Sequence, residues 1–256
     1  MMKWLSLLTL LLTLSTQAAI REQQLTLPDQ LGHAVLYQPE HPTNGAAVVV
    51  IHEWWGMNAY AKRRARMLAE AGYPAIAVDM YGTGKVADHP KDAKAFMNAA
   101  MRHPEQMNAR FDAALAILRR QPGVDPHKLY AIGYCFGGGV VLNQARMGKP
   151  LAGVASFHGS LGSNIKVKPG QIKAKLLVAV GGDDPFEPET AVDALVDEMR
   201  AAKADLDLRI YPGAKHSFTN PQATELGKRF NMPLAYDKQA DQKSWQALLN
   251  MLAGKA

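Results

Sequence analysis

Short apolar runs rich in β-branched residues alternate with longer amphipathic stretches along most of this chain. The apolar runs predict strands at 46–51, 74–78, 128–132, 152–157, 174–180 and 206–211. The amphipathic stretches predict helices at 59–71, 92–101, 105–120, 138–147, 189–202 and 232–252.

This alternation is typical of an α/β domain, in which helices cover both faces of a mostly parallel sheet. We find no internal repeat, low-complexity tract or dividing linker. A chain of 256 residues can bury one sizeable core. We therefore predict a single α/β domain over 19–256, with a mostly parallel central sheet and no large cap domain.

The amino-terminal segment differs from the rest of the chain. A short basic start at 1–3 precedes an apolar, leucine-rich run at 4–14, and small residues follow at 15–19. The apolar run is about half of the roughly 20 residues that a membrane span needs. We therefore predict a signal peptide at 1–18, no membrane anchor after its cleavage, and a periplasmic protein.

Charge and cysteine content exclude several classes of protein. The net charge is +6, but the basic residues are scattered and form no long uninterrupted run, so we expect no nucleic-acid partner. Cys135 is the only cysteine, so the chain cannot form an internal disulfide. We expect a monomer.

The strongest chemical signal is the turn Gly133-Tyr134-Cys135-Phe136-Gly137. A strand runs directly into it and a helix follows, as in a nucleophile elbow, with cysteine in the place of serine. Such a turn strains its central residue and requires small residues two positions before and after it. The positive end of the following helix favours the thiolate. The dinucleotide motif GxGxxG and the phosphate-binding motif GxxxxGK are absent.

The acid and the base of a catalytic triad follow the nucleophile in this arrangement, each after a later strand. The loop after 174–180 contains Asp183 and Asp184, of which we prefer Asp184 as the acid. The loop after 206–211 contains His216, which we predict as the base. His158 also follows a strand, but it precedes both candidate acids in the chain.

The loop after the first long strand, His52-Glu53-Trp54-Trp55-Gly56, is expected to supply part of an oxyanion hole. We predict that the backbone amides of Trp54 and Phe136 form this hole. Glu53 lies in an aromatic setting, where desolvation would raise its pKa. From these residues alone, Glu53 could equally form a salt bridge at the edge of the loop.

Five stretches together resemble the dienelactone hydrolase family, the carboxymethylenebutenolidase-like members of the α/β-hydrolase fold. They are His52-Glu53-Trp54-Trp55-Gly56 with Asn58, Val78-Asp79-Met80-Tyr81, Gly133-Tyr134-Cys135-Phe136-Gly137-Gly138, Asp184-Pro185-Phe186-Glu187-Pro188 and His216-Ser217-Phe218. The resemblance implies that Asp184 is the triad acid and that Glu53 holds the thiol and accepts its proton. We also expect substrate contacts from Trp55, Tyr81, Phe218 and Asn220.

The chain departs from the family at two arginines that hold the substrate carboxylate. Gly82-Thr83-Gly84 and Thr219-Asn220 stand where these arginines are expected. Neither threonine nor asparagine can replace the bidentate, charged guanidinium. The nearby cations Lys85, Lys228 and Arg229 are possible substitutes. Dienelactone itself is therefore not the substrate that we expect.

These observations predict a hydrolase that cleaves an ester or lactone bond of a small molecule through a thioester on Cys135. No cofactor or metal is expected. Two alternatives stay open: a thiol-redox protein that uses an activated Cys135, and a non-catalytic binding module on the same fold.

Overall fold

A computed structural model describes residues 19–255 as one eight-stranded sheet with helices on both faces. The strands are β1 (Ile20–Leu27), β2 (Gly32–Pro39), β3 (Ala47–Ile51), β4 (Ala75–Val78), β5 (Leu129–Tyr134), β6 (Gly153–Phe157), β7 (Lys175–Gly181) and β8 (Leu206–Tyr211). The helices are α1 (Ala59–Glu70), α2 (Pro90–Met101), α3 (Pro104–Arg119), α4 (Phe136–Arg146), α5 (Glu189–Ala201), α6 (Ala223–Phe230) and α7 (Lys238–Leu252).

The sheet is mostly parallel, which confirms the predicted fold class. The strand order is β1-β2-β4-β3-β5-β6-β7-β8, and every neighbouring pair from β4 to β8 is parallel. Ile51 pairs with both Val78 and Gly133, so the carboxyl ends of β4, β3 and β5 lie side by side. The loops that follow these strands therefore meet at one edge of the sheet.

A separate apolar layer lies on each face of the sheet. On one face Phe111 of α3 and Val141 of α4 pack against the sheet, together with Leu195 of α5. On the other face Leu68 of α1 and Leu248 of α7 fill the same role. Since both faces are covered, the central strands are apolar on both sides, and all five residues of β3 are buried.

The prediction missed three elements. β1 and β2 form an antiparallel hairpin at the edge of the sheet, and β1 carries mostly exposed polar residues, so its sequence lacks a strand signal. The short helix α6 was also missed. The last helix begins at Lys238 rather than at 232, because Asp237 caps it by accepting a 2.9 Å hydrogen bond from Ala240 N.

Both ends of the described chain lie at the amino edge of the sheet. β1 begins beside Pro39, the end of β2, and therefore near the starts of the parallel strands. At the other end, Gly254 and Lys255 lie beside Ala152 and Lys175, where β6 and β7 begin.

The predicted signal peptide at 1–18 lies outside the described residues. Within residues 19–255, we find no helix with the length and apolar content that crossing a bilayer requires.

Candidate active site

Cys135 lies on a strained turn between β5 and α4. Its backbone has φ 52° and ψ −118°, in the positive-φ region that non-glycine residues rarely adopt. Two glycines make room for the turn: a Cβ added to Gly133 would lie 2.0 Å from Gly137 O, and one added to Gly137 would lie 2.5 Å from Ile51 O. The turn therefore presents the thiol at the carboxyl edge of the sheet.

Asp184 and His216 are joined by a hydrogen bond at the same edge. His216 Nδ1 donates to Asp184 Oδ2 at 2.7 Å, while the other carboxylate oxygen accepts from Phe186 N at 2.9 Å. Both side chains are buried. Asp183, the alternative acid, points to solvent instead.

The charge of His216 depends on its neighbours. Burial alone would lower the pKa of His216, but the Cys135 sulfur and the Asp184 carboxylate outweigh burial and raise this pKa to about 10. A protonated imidazole is thus stable at neutral pH beside the sulfur. Cys135 and His216 line the same cavity, so this arrangement can hold a thiolate and an imidazolium as an ion pair.

Trp54 and Phe136, the two residues expected to form the oxyanion hole, both line the cavity of Cys135. Phe136 is the first residue of α4, where a backbone N–H has no partner within the helix. Within residues 19–255, neither amide donates a hydrogen bond to another group. Both amides are therefore without a protein partner in this part of the chain.

Glu53 contacts the loop that carries His216 rather than the thiol. One carboxylate oxygen accepts a 2.8 Å hydrogen bond from Ser217 Oγ, and the other accepts one of 2.7 Å from Asn220 Nδ2. Burial raises the pKa of Glu53, and these two hydrogen bonds partly offset that effect. The expectation that Glu53 holds the Cys135 thiol is not met in this structure, in which the hydrogen bonds of both carboxylate oxygens go to the histidine loop.

A buried polar network supports the histidine loop from below. Arg64 of α1 bonds to Thr219 O and to Asp241 of α7, each at 2.5 Å. Thr219 Oγ1 lies 2.6 Å from Tyr60 Oη and 2.7 Å from His158 Nε2. His158, the competing histidine, therefore belongs to this support, and its ring meets the ring of His216 edge-on at 5.3 Å.

The cavity beside Cys135 has a volume of about 200 Å³. Its lining residues are Trp54, Met97, Cys135, Phe136, Ser160, Phe186, Glu187, His216, Met232 and Leu234. Most of them are apolar, and none is lysine or arginine. Met232 and Leu234 come from the stretch before α7, which a bridge between His216 and Leu234 holds in place.

The structure places the four expected substrate-binding residues outside this lining. Trp55, Phe218 and Asn220 are buried, and Asn220 donates a hydrogen bond to Glu53. Tyr81 donates a 2.7 Å hydrogen bond to Trp54 O and lines a neighbouring cavity. None of these four residues lines the cavity, which revises the expectation of direct contact.

The possible substitutes for the family arginines also lie outside the lining. Lys85 stands over the ring of Phe96, and Arg229 stands over the ring of Phe230. The residues that do line the cavity come from the loops after β3, β5, β6, β7 and β8, from α2 and α4, and from the stretch between α6 and α7. Of the lining residues that were not predicted, only Phe186 and Glu187 lie in a stretch that carries the family resemblance, Asp184-Pro185-Phe186-Glu187-Pro188.

In residues 19–255, no group of three or more histidine, cysteine, aspartate or glutamate side chains is placed to hold a metal ion.

Comparison with known families gives one match over most of the chain. Residues 33–255 match the model of the dienelactone hydrolase family. A carboxymethylenebutenolidase-like protein of Saccharolobus solfataricus is 27% identical over 252 residues, which cover 86% of this chain and 92% of that protein.

Two solved structures share both fold and sequence with this chain. A dienelactone hydrolase-like promiscuous phosphotriesterase, P91, from metagenomic libraries is 33% identical, with a TM-score of 0.80 over 92% of this chain and 98% of the other. The structure named m3DLH is 34% identical, with a TM-score of 0.83 over the same shares. The fold is therefore that of the α/β-hydrolases, to which these relatives belong.

Proposed function

The chain belongs to the dienelactone hydrolase family, and from that premise we propose that it cleaves an ester or lactone bond of a small molecule with Cys135 as the nucleophile. One observation carries the proposal. Cys135 stands on a strained turn in the same cavity as His216, which Asp184 holds by a 2.7 Å hydrogen bond. In this arrangement Cys135 is the nucleophile, His216 is the base and Asp184 is the acid that orients the base.

In the first half of the reaction, the Cys135 thiolate forms a bond to the substrate carbonyl carbon. The carbonyl oxygen becomes an oxyanion, which the Trp54 and Phe136 amides stabilise. Losing one such donor typically costs about 100- to 1,000-fold in turnover. The intermediate then expels the alkoxide, which takes the proton from the His216 imidazolium. A thioester on Cys135 remains.

The second half requires His216 to act as a base, and the same electrostatics explain how it can. The Cys135 charge is the largest influence that raises the pKa of His216. That charge disappears when the thioester forms, so the pKa of the imidazole falls, although Asp184 still raises it. Neutral His216 can then accept a proton from the attacking water. Release of the acid product restores the thiolate and the imidazolium.

In this proposal Glu53 is a positioning residue. Its carboxylate ties Ser217 and Asn220 to the loop after β3. That loop also supplies Trp54. Glu53 thus holds the base and one oxyanion donor in register with each other.

The cavity size limits the substrate. A volume of about 200 Å³ accommodates a small acyl group in mostly apolar surroundings. The family arginines have no counterpart in the lining. This supports small uncharged esters and lactones ahead of dienelactone itself.

Phosphotriesters are a second candidate class. P91, at 33% identity, is a dienelactone hydrolase-like promiscuous phosphotriesterase. The apolar lining without lysine or arginine favours such neutral molecules here as well. A neutral p-nitrophenyl phosphotriester therefore belongs in the first substrate panel.

The test is steady-state hydrolysis of p-nitrophenyl esters and small lactones by the mature protein and by Cys135→Ala, with thermal unfolding to show that the variant folds. We expect turnover that the variant loses. Turnover by folded Cys135→Ala would overturn the proposal. Oxidation of Cys135 by peroxide without any ester hydrolysis would favour the thiol-redox alternative. An inert thiol without hydrolysis would favour a binding module.

A further inference from the structure

Glu187 is a carboxylate in the reaction cavity for which the proposed chemistry has no use. Glu187 lines the cavity together with Cys135 and His216, and 9% of its surface is exposed. Oε2 accepts a 3.1 Å hydrogen bond from Leu161 N. Oε1 makes no hydrogen bond within residues 19–255. A carboxylate in an apolar cavity is costly, so its presence calls for a role.

The position of Glu187 is fixed by a rigid support. Its partner, the Leu161 backbone, is held from the other side, because Arg146 donates a 2.7 Å hydrogen bond to Leu161 O. Arg146 is fully buried, and Glu198 binds it at 2.9 and 2.7 Å. The charge of Arg146 is therefore already paired and does not neutralise Glu187.

The groups that face Glu187 leave it anionic at neutral pH. The pKa of Glu187 is raised to about 6, mainly by burial. The Asp184 charge adds to this increase, whereas the Leu161 N–H and the His216 charge oppose it. Above about pH 6 the cavity thus holds a negative charge, and no lysine or arginine lies in its lining. His216 is the one cationic group of the lining, and it is committed to Cys135 and Asp184.

We propose that Glu187 is a specificity-determining residue, which makes the cavity select uncharged esters and lactones against those that carry a carboxylate. This inference rests on the proposed hydrolase function. A substrate carboxylate inside a cavity of about 200 Å³ would lie close to that of Glu187. Two carboxylates close together in partly desolvated surroundings repel each other. We therefore expect kcat/KM for substrates that carry a carboxylate to be lower by roughly 10- to 100-fold.

The test compares two esters of equal acyl length, p-nitrophenyl pentanoate and mono-p-nitrophenyl glutarate, which differ by a terminal carboxylate. The enzymes are wild type, Glu187→Gln and the matched control Glu189→Gln, whose side chain is exposed. For Glu187→Gln we expect the ratio of the two kcat/KM values to move by roughly 10- to 100-fold toward the glutarate ester. The control should keep the wild-type ratio.

The pH dependence adds a readout that a merely structural role would not move. In wild type, discrimination against the glutarate ester should grow as the pH rises through about 6, and in Glu187→Gln it should stay flat. If the ratio is the same in both enzymes while Cys135-dependent pentanoate hydrolysis persists, the hydrolase stands and the role of Glu187 is wrong.

A second measurement does not depend on hydrolysis. Since Cys135 is the only cysteine, its alkylation by neutral iodoacetamide and by anionic iodoacetate reports the charge preference of the cavity directly. Glu187→Gln should raise the rate of Cys135 alkylation by iodoacetate relative to the rate with iodoacetamide. An unchanged ratio of the two rates would overturn the inference. If Glu187→Gln fails to unfold cooperatively, Glu187→Ala replaces it in both measurements.

Discussion

Asn220 donates a 2.7 Å hydrogen bond from its side-chain amide to the buried carboxylate of Glu53. This bond joins the loop after β8, which carries His216, to the loop after β3, which carries Trp54. Two loops that are far apart in the sequence are thus fixed to each other beside Cys135. The relationship leads to the first prediction.

Asn220→Ala should leave one oxygen of the buried Glu53 carboxylate without a donor. We expect a loss of about 1–3 kcal/mol in the free energy of unfolding, and a fall in kcat because the histidine loop loses its link. Urea denaturation and ester hydrolysis measure the two effects. Asn98→Ala, on the exposed face of α2, is the control and should change stability by about 0.5 kcal/mol or less. Equal stability of the two variants would show that the bond contributes little.

Neighbouring aspartates provide a matched pair. Asp184 accepts the hydrogen bond from His216, whereas Asp183 is exposed. Asp184→Asn should lower kcat by roughly 100- to 10,000-fold, because an amide does not stabilise the imidazolium or fix its tautomer. Asp183→Asn should keep the wild-type rate. A large loss in Asp183→Asn with little in Asp184→Asn would assign the acid to the other residue.

The ion pair between Cys135 and His216 should be visible in the pH dependence of alkylation. His216 has its pKa raised from 6.5 to about 10, so the imidazolium that stabilises the thiolate persists through neutral pH. In His216→Asn the thiolate loses this cationic partner. We therefore expect iodoacetamide to react at least roughly tenfold more slowly with the variant than with wild type at about pH 6.5.

The same shift of the His216 pKa affects stability. A histidine whose pKa rises on folding contributes stability that is fully present below pH 6.5 and is lost as the pH rises through about 10. The stability difference between wild type and His216→Asn should shrink over that range, as measured by urea denaturation. A difference that does not vary with pH would contradict the ion pair.

Gly137→Ala should disrupt the turn that carries Cys135. The added Cβ would lie 2.5 Å from Ile51 O and 2.6 Å from His52 O, so the backbone of β3 or the turn must shift. We expect several kcal/mol of destabilisation, about 3 or more, with loss of activity. Gly162→Ala is the control, since its Cβ would meet nothing within 4 Å. Thermal unfolding of both variants, with hydrolysis by the folded fraction, measures the contrast.

The parts of the candidate site that depend on chain order are brought together as the sequence predicts. Cys135, Asp184 and His216 each follow a parallel strand, and parallel strands bring their carboxyl ends to one edge of the sheet. An apolar strand followed by a glycine-rich turn is a local signal. These residues could therefore be found without knowledge of the tertiary structure.

The cavity could not be predicted in the same way. Met97 comes from α2, and Met232 and Leu234 come from the stretch before α7, which the sequence indicated as helix. That stretch is extended because Asp237 starts the helix later and because Ala235 N donates to His216 O. Pairing between residues far apart in the chain leaves no periodic pattern in the sequence. The apolar residues Met232 and Leu234 can therefore be mistaken for the buried side of a helix.

The edge hairpin was missed for a related reason. β1 pairs with β2 over its full length, but its solvent-facing residues are polar, and only a 3-10 turn at Pro28–Gln30, not an α-helix, follows it to mark a strand-helix unit. Backbone pairing at a sheet edge stabilises such a strand with little help from apolar side chains.

The location of the chain ends at the amino edge of the sheet has a practical consequence. The loops that line the cavity follow the carboxyl ends of the strands, so a tag, a fusion partner or a solid support attached at residue 19 or residue 255 would start from the edge of the sheet opposite to Cys135. A molecule tethered through either end would therefore keep its cavity facing away from the support and open to substrate in solution.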